Sequence, residues 1–236
     1  MKLILEGKAK KIYSTPKRDT LVQYFKDDTT AYNNKKKKKF FNKGVINNFI
    51  SANIFLFLKS NKIENHFIKR LSEREQLIKK VSIVPIEVVV RNIAAGSLCK
   101  NLGIKKGKKI SPPLIEFYLK SDDLNDPLLS EQHILYLNLC THKELKKIIE
   151  IAKKINLLLI KYFKDIRITL VDFKVEFGKY NKKIILADEI SPDTCRLWDK
   201  KTDKSLDKDV FRESKGNLLD AYNIVFDRIK KKYYEF

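Results

Sequence analysis

The sequence predicts an α+β fold with antiparallel sheets, and three observations carry that expectation. Short β-rich segments follow one another near the N-terminus, a long segment with helical periodicity lies beyond the middle, and strands and helices mix without regular βαβ alternation. The 236 residues can bury a substantial core and divide into one or two domains. The chain reads as a first unit completed near residue 80, residues 1–80, and a second unit over residues 81–236.

LILEG, KKIYS and LVQYF read as short strands separated by the turn-like GKAK and TPKRDT. A polar loop is expected from Asp27 to Lys43, in which Lys35 to Lys39 form a mobile, solvated run. GVINNFISANIFLFLKS then places Val45, Phe49, Ala52 and Leu56 at helical spacing, with Asn61 as its stop. HFIKRL and EQLIKKV complete the first unit as strands. The second unit opens with IVPIEVVVRN, whose β-branched density predicts a buried strand. PLIEFYLK is another strand and precedes the loop SDDLNDP. From Thr141 the sequence T-H-K-E forms a capping box, and Leu145, Ile148, Ile149, Ala152, Ile155 and Leu159 give the following helix one apolar face. LVDFKVEFG, the turn GKYNKK and the strand KIILADEI follow, and a last helix is expected over about Leu218 to Lys231.

Composition narrows the function classes. A formal charge of +21 invites a nucleic-acid reading. Only eight of the 50 basic residues are arginine, however, and the lysines are spread through every segment beside abundant Ile and Asn. A base-reading surface concentrates arginine and stacking aromatics, so no nucleic-acid partner is expected. No run of about 18 apolar residues occurs, so no membrane span is expected. The N-terminal MKLILEGKAKK meets a glutamate at once and does not read as a signal peptide. Cys99, Cys140 and Cys195 lie far apart with no C-x-x-C pair, which fits free thiols in a reducing cytoplasm. His66, His133 and His142 show no metal-ligand spacing, and His142 reads as a surface residue.

In LVDFKVEFG, Val171, Phe173, Val175 and Phe177 share one face, and Asp172, Lys174 and Glu176 the other. The charged face is open between solvated surface and ligand site. Glu176 and, on the return strand, Asp188 could approach one ion, and magnesium is usually held by one or two carboxylates plus nucleotide phosphates. Lys174 would lie beside it. EGKAKKIY, from Glu6 to Tyr13, offers a glycine and alternating lysines that could approach a polyphosphate, although alone it reads as a hairpin turn with surface lysines. AAGS after IVPIEVVVRN could bring backbone amides, Ser97 and the Arg91 fork to an anion. SPDTCRLWD places Asp193 and Arg196 just beyond the acidic hairpin.

Taken together, GKAKKIY, GVINN, VPIEVVVRNIAAGSL, PPLIEFYLKSDDLNDP, LVDFKVEFG and ADEISPDTCRLWD, in this order and at these spacings, closely resemble the SAICAR synthetase family in its short bacterial form. The resemblance covers essentially the whole chain. It implies an ATP-dependent ligase that joins the carboxylate of CAIR, an aminoimidazole ribonucleotide, to the amine of L-aspartate. The products are SAICAR, ADP and phosphate, and magnesium is required. It also implies an ATP-grasp or kinase-like nucleotide site between a smaller N-terminal ATP-binding domain and a larger substrate- and metal-binding domain, in a cytoplasmic homodimer or higher homo-oligomer. By the matched motifs, Gly7, Lys8, Ala9, Lys10 and Lys120 lie over the ATP phosphates and Ile83 and Val84 lie near the adenine. Glu176 and Asp188 hold magnesium, and Lys174 contacts the reacting anions. Arg91, Ser97 and Arg196 grip CAIR, with Asp126, Asp193, Asp209 and Arg212 on the same rim. Asp172 is open between a ligand contact and an ion pair with Lys174. The segment after Asp28-Thr29-Thr30-Ala31 departs from the family pattern, and Asn33 or Asn34 is expected to supply the left-handed conformation that a glycine gives in relatives. A small-molecule kinase would use the same hairpin without aspartate, and a nucleic-acid binder would show steeply salt-dependent binding without turnover.

Overall fold

The structure, a computed structural model, describes residues 1–31 and 36–233. Strands β1 (Leu3–Glu6), β2 (Lys10–Ser14) and β3 (Thr20–Phe25) lead into a hairpin of β4 (Asp28–Ala31) and β5 (Lys36–Lys39). Helix α1 (Lys43–Ser60) and strands β6 (Phe67–Arg70) and β7 (Glu75–Lys79) complete the first third. Then come β8 (Ser82–Ile93), α2 (Ser97–Leu102), β9 (Lys109–Leu119), β10 (Leu128–Leu129), α3 (Glu131–Tyr136) and α4 (His142–Asp165). The chain continues through β11 (Ile168–Tyr180), β12 (Lys183–Ala187), β13 (Cys195–Asp199), α5 (Asp209–Arg212) and α6 (Leu218–Tyr233).

Two sheets organise the fold. One, in the order β1-β2-β3-β7-β6, is built within residues 3–79, and the other, β10-β9-β8-β11-β12 with β13 also on β11, within residues 82–199. Every strand pairing in them is antiparallel. The centre of the second sheet is β11. Along one edge it pairs with β8, and along the other first with β13 and then with β12.

The alternation of β11 explains where the core lies. Val171, Phe173, Val175 and Phe177 are completely buried, and each such side chain contributes roughly 1.5–3 kcal/mol on leaving water. Phe173, Val175 and Phe177 belong to one apolar cluster with Ile86, Val88, Val90 and Phe117 from the neighbouring strands, closed by Leu145, Ile148, Ala152, Ile155 and Leu159 of α4. The capping box that starts α4 forms as expected: Thr141 Oγ1 accepts from the Glu144 amide (3.2 Å) and Glu144 Oε2 from the Thr141 amide (2.8 Å). With the helix start fixed, its apolar stripe meets the sheet in register.

Two expectations change. The segment from Asp27 to Lys43 is not simply a loop, because Lys36–Lys39 pair with Asp28–Ala31. Lysine has little intrinsic strand preference, and tertiary contacts supply it here: Lys36 Nζ lies 4.5 Å above the Phe211 ring and reaches Ser214 Oγ at 2.8 Å. The expectation for Asn33 and Asn34 falls outside the described residues. In α1 the buried apolar positions are Ile46, Phe49, Ile50, Ala52, Ile54, Phe55 and Leu58, whereas Leu56 is exposed and Val45 half-buried. The helix is covered on more than one side, by the first sheet and by α6, with Phe49 and Phe226 rings 4.5 Å apart. A single stripe therefore understates its burial. Among the described residues no helix is long and apolar enough to cross a membrane, and all three cysteines are free.

Candidate active site

The face of β11 opposite the core carries the charge. Glu176 lies opposite Glu87 of β8 and Ala187 of β12, and Asp172 lies opposite Arg91 of β8 and Arg196 of β13. Strand β9 adds Glu116 and Tyr118, whose partners across the ladder are Val89 and Glu87. Strand pleating thus gathers Asp172, Lys174, Glu176, Glu87, Arg91, Glu116 and Tyr118 on one surface.

At one end is an ammonium–carboxylate cluster. Lys174 Nζ is 2.8 Å from Glu176 Oε1, 3.0 Å from Glu87 Oε1 and 3.5 Å from Asp188 Oδ2. Lys10, from the N-terminal sheet, contacts Asp188 and lies 3.0 Å from Glu189 Oε1, and Lys120 contacts the second oxygen of Glu176. Burial alone would push Lys10 and Lys174 toward neutrality, but the surrounding carboxylates outweigh it and hold both above the usual lysine range. Burial likewise opposes ionisation of Asp188 and Glu176. Lys10, Lys174 and Lys120 nevertheless hold Asp188 well below the carboxylate range, and Lys174, Lys120 and Lys10 lower Glu176. Under the cluster lies His66, whose imidazole burial pushes down to about 4, so it is neutral at ordinary pH.

At the other end two guanidinium groups share one carboxylate oxygen. Asp172 Oδ2 accepts from Arg91 Nη1 at 3.1 Å and from Arg196 Nη1 at 2.9 Å. Arg91 also donates to Glu116 (2.7 Å), Ser97 Oγ (3.0 Å) and Tyr118 OH (3.2 Å), and Arg196 Nε donates to Asp209 (2.7 Å), which also receives Arg212. The ion pair of Asp172 is therefore made with the two arginines and not with Lys174. Gly96 makes the arrangement possible. Its φ of 58° is strained for other residues, and a Cβ there would collide with the Arg196 guanidinium. Gly96→Ala should accordingly push the Arg196 guanidinium off Asp172 and destabilise the fold by about 1–3 kcal/mol, measured by urea unfolding.

The remaining expected residues are spread around these two clusters. The Gly7 amide closes a tight turn on the Lys10 carbonyl (2.8 Å), the Ala9 carbonyl accepts from the Lys26 amide (2.8 Å), and Lys8 Nζ reaches Asp122 of the SDDLNDP loop at 2.7 Å. In that loop Asp126 Oδ1 accepts from the Ser121 amide at 3.0 Å. Ile83 is exposed, but Val84 is packed into the core, which leaves only its backbone available to a ligand. Asp193 faces inward. Its carboxylate takes Lys43 Nζ, Asn47 Nδ2 (2.8 Å) and Tyr222 OH (2.7 Å).

The family model of SAICAR synthetase matches residues 3–229. The chain belongs to the SAICAR synthetase family. A phosphoribosylaminoimidazole-succinocarboxamide synthase of Wolbachia pipientis is 53% identical over 234 residues, covering 98% of both chains. The crystal structure of the synthase of that name from Ehrlichia chaffeensis has a TM-score of 0.95 at 47% identity, covering 97% of this chain and 98% of that one. A SAICAR synthetase in complex with ADP has a TM-score of 0.95 at 45% identity, covering all of both chains. The mixed antiparallel architecture is thus that of SAICAR synthetases.

Magnesium fits the donor set of this family member. Among the described residues no group of three or more His, Cys, Asp or Glu side chains is arranged to hold a metal. Glu176 and Asp188, however, are two oxygen donors facing the same cationic position, which Lys174 marks, and magnesium needs no more from protein when phosphates complete its shell. Sequence reasoning missed Glu87, Glu116, Tyr118, Lys43 and Glu189. A signal existed for the first three: Glu87 shares its strand face with Arg91, and Glu116 and Tyr118 share theirs with one another. Using it required the register between strands.

Proposed function

We propose that the charged face of β11 activates the carboxylate of CAIR with ATP at its Glu176 end and holds the ribonucleotide at its Asp172 end. Family membership supplies the reaction: an ATP-dependent carbon–nitrogen ligase of purine biosynthesis that forms SAICAR, ADP and phosphate from CAIR and L-aspartate. One observation carries the placement. The paired guanidinium groups and the ammonium cluster are gathered by alternate residues of a single strand, Asp172 at one end and Lys174 and Glu176 at the other, with Asp172 and Glu176 about 13 Å apart along the strand.

The chemistry explains why cations and carboxylates are interleaved. A carboxylate is a poor electrophile, so the γ-phosphoryl group passes to a CAIR carboxylate oxygen, releasing ADP and leaving an acyl phosphate. The aspartate amine then attacks that carbon, phosphate departs, and the nitrogen loses a proton to leave an amide. Three polyanions meet in this sequence, and fixed cations offset their repulsion. Lys8, Lys10 and Lys120 face the polyphosphate beside the Gly7–Ala9 turn, with Ile83 and the Val84 backbone toward the base. Lys174 holds the reacting carboxylate. Arg91, Ser97 and Arg196 take the anionic groups of CAIR, and Asp126, Asp209 and Arg212 border them. Glu176 and Asp188 would hold magnesium, which when bound neutralises phosphate charge. Asp193, with its carboxylate already engaged, supports the rim from behind.

The reading extends to a boundary near residue 80, where the first sheet ends and the second begins, and to a cytoplasmic homo-oligomer in which the free cysteines stay reduced. Purified protein given ATP, magnesium, CAIR and L-aspartate should release ADP only when all are present. ADP release independent of aspartate, with a stable phosphorylated CAIR, would indicate a kinase and overturn the reading.

A further inference from the structure

Strand β12 ends at Ala187, directly opposite Glu176. If the chain stayed extended, the next side chain, Asp188, would point to the other face of the sheet, into the core. Instead Asp188 adopts φ 63°, and its carboxylate lies beside Lys174 on the same face as Glu176. Aspartate enters the left-handed region more readily than most residues, but still at a cost that its surroundings offset. The sequence of β12 does not explain it.

The surroundings come from the other sheet. Gln23, in the middle of β3 and only 2% exposed, donates Nε2 to the Asp188 carbonyl at 3.3 Å. The flanking residues are tied to the N-terminal segment as well. The Leu186 carbonyl accepts from the His66 amide (2.9 Å) and the Leu186 amide donates to the Glu64 carbonyl (3.1 Å), while the Ile190 amide donates to Ser51 Oγ (3.3 Å). These bonds fix the residues on either side of Asp188, and the Asp188 peptide itself is met by the Gln23 amide at its carbonyl and by the buried His66 imidazole. Burying a primary amide is costly unless it is paired, and Gln23 finds this partner 165 positions away in sequence.

We propose that Gln23 is a positioning residue for the metal-binding carboxylate, holding the Asp188 peptide turned so that its carboxylate stands beside Glu176. The inference rests on the reading of Asp188 as a magnesium ligand. Without the amide donor, Asp188 relaxes toward extended backbone and its carboxylate leaves the shared face. Magnesium binding weakens, while the Lys8 and Lys10 contacts to nucleotide remain.

Gln23→Met keeps the length and volume of the side chain and removes the donor. Initial rates across a magnesium titration should show the half-saturating concentration raised about 10-fold, with kcat at saturating magnesium within about twofold of the parent. Calorimetric titration with ADP should show unchanged affinity in EDTA and a diminished gain on adding magnesium. A purely structural role would lower kcat and thermal stability without moving the magnesium requirement. Gln23→Asn retains an amide one methylene short of the carbonyl, and should shift the titration in the same direction if Gln23→Met fails to fold. Asp188→Asn in the same titration separates the two readings. If it leaves the magnesium dependence unchanged, the metal assignment fails. If Asp188→Asn shifts the dependence while both Gln23 variants match the parent, the positioning role of Gln23 is overturned.

Discussion

Glu176→Gln is expected to lower kcat/KM for aspartate-dependent ADP release by about 1,000-fold or more, on the order of 4 kcal/mol of transition-state stabilisation, while the fold survives. The substitution is isosteric, and the side chain stays against the wall formed by Lys174 and Lys120. What it removes is one negative charge from a cluster in which Lys10, Lys120 and Lys174 meet Glu87, Glu176, Asp188 and Glu189. In a part-buried site that charge is screened far less than at the surface. The proposed two-carboxylate magnesium site would lose half of its protein charge, and Lys174 loses the closest of its carboxylate partners. Circular dichroism and a melting temperature within a few degrees of the parent would establish folding. A variant that turns over normally at ordinary magnesium would show that the metal assignment is wrong.

The legible parts of this site were those with short-range causes. Period-two alternation in LVDFKVEFG separates core from charge because Val171, Phe173, Val175 and Phe177 are all apolar and completely buried, and the start of α4 is written in four consecutive residues. The partners of Asp172 depend instead on long-range register: Arg91 is 81 positions before it and Arg196 is 24 after. No local pattern reports that alignment, so the sequence leaves Asp172 open between a ligand contact and an ion pair with nearby Lys174, and neither alternative names the two arginines. Asp188 shows a second limit. Its place beside Glu176 follows from a backbone turn that is held from a different sheet. The Lys36–Lys39 strand shows a third, since its cause is a contact with Phe211 that propensity opposes.

The second large effect concerns stability. Asp193→Asn should cost about 3–5 kcal/mol, because it leaves the Lys43 ammonium buried without its carboxylate. Lys43 has no solvent exposure, and the Asp193 side chain is 4% exposed. Asn47 and Tyr222 complete the cage, linking α1 to α6 through the SPDT loop. For a chain of this size the loss corresponds to a melting temperature lower by about 10 °C. The pH dependence gives a finer check. Burial would raise the Asp193 carboxyl, but Lys43, Lys208 and the hydrogen bonds outweigh it and hold it well below the carboxylate range. A depressed folded-state value means that the unfolded chain binds the proton more readily, so the contribution is fully present above about pH 4 and disappears as the pH falls toward the folded value. The stability difference between parent and Asp193→Asn should therefore shrink below pH 4 in urea melts. Combining Asp193→Asn with Lys43→Met removes the stranded ammonium and should recover part of the loss. If Asp193→Asn instead costs less than about 1 kcal/mol, and the same whether or not Lys43 is present, the ion pair does not hold the loop.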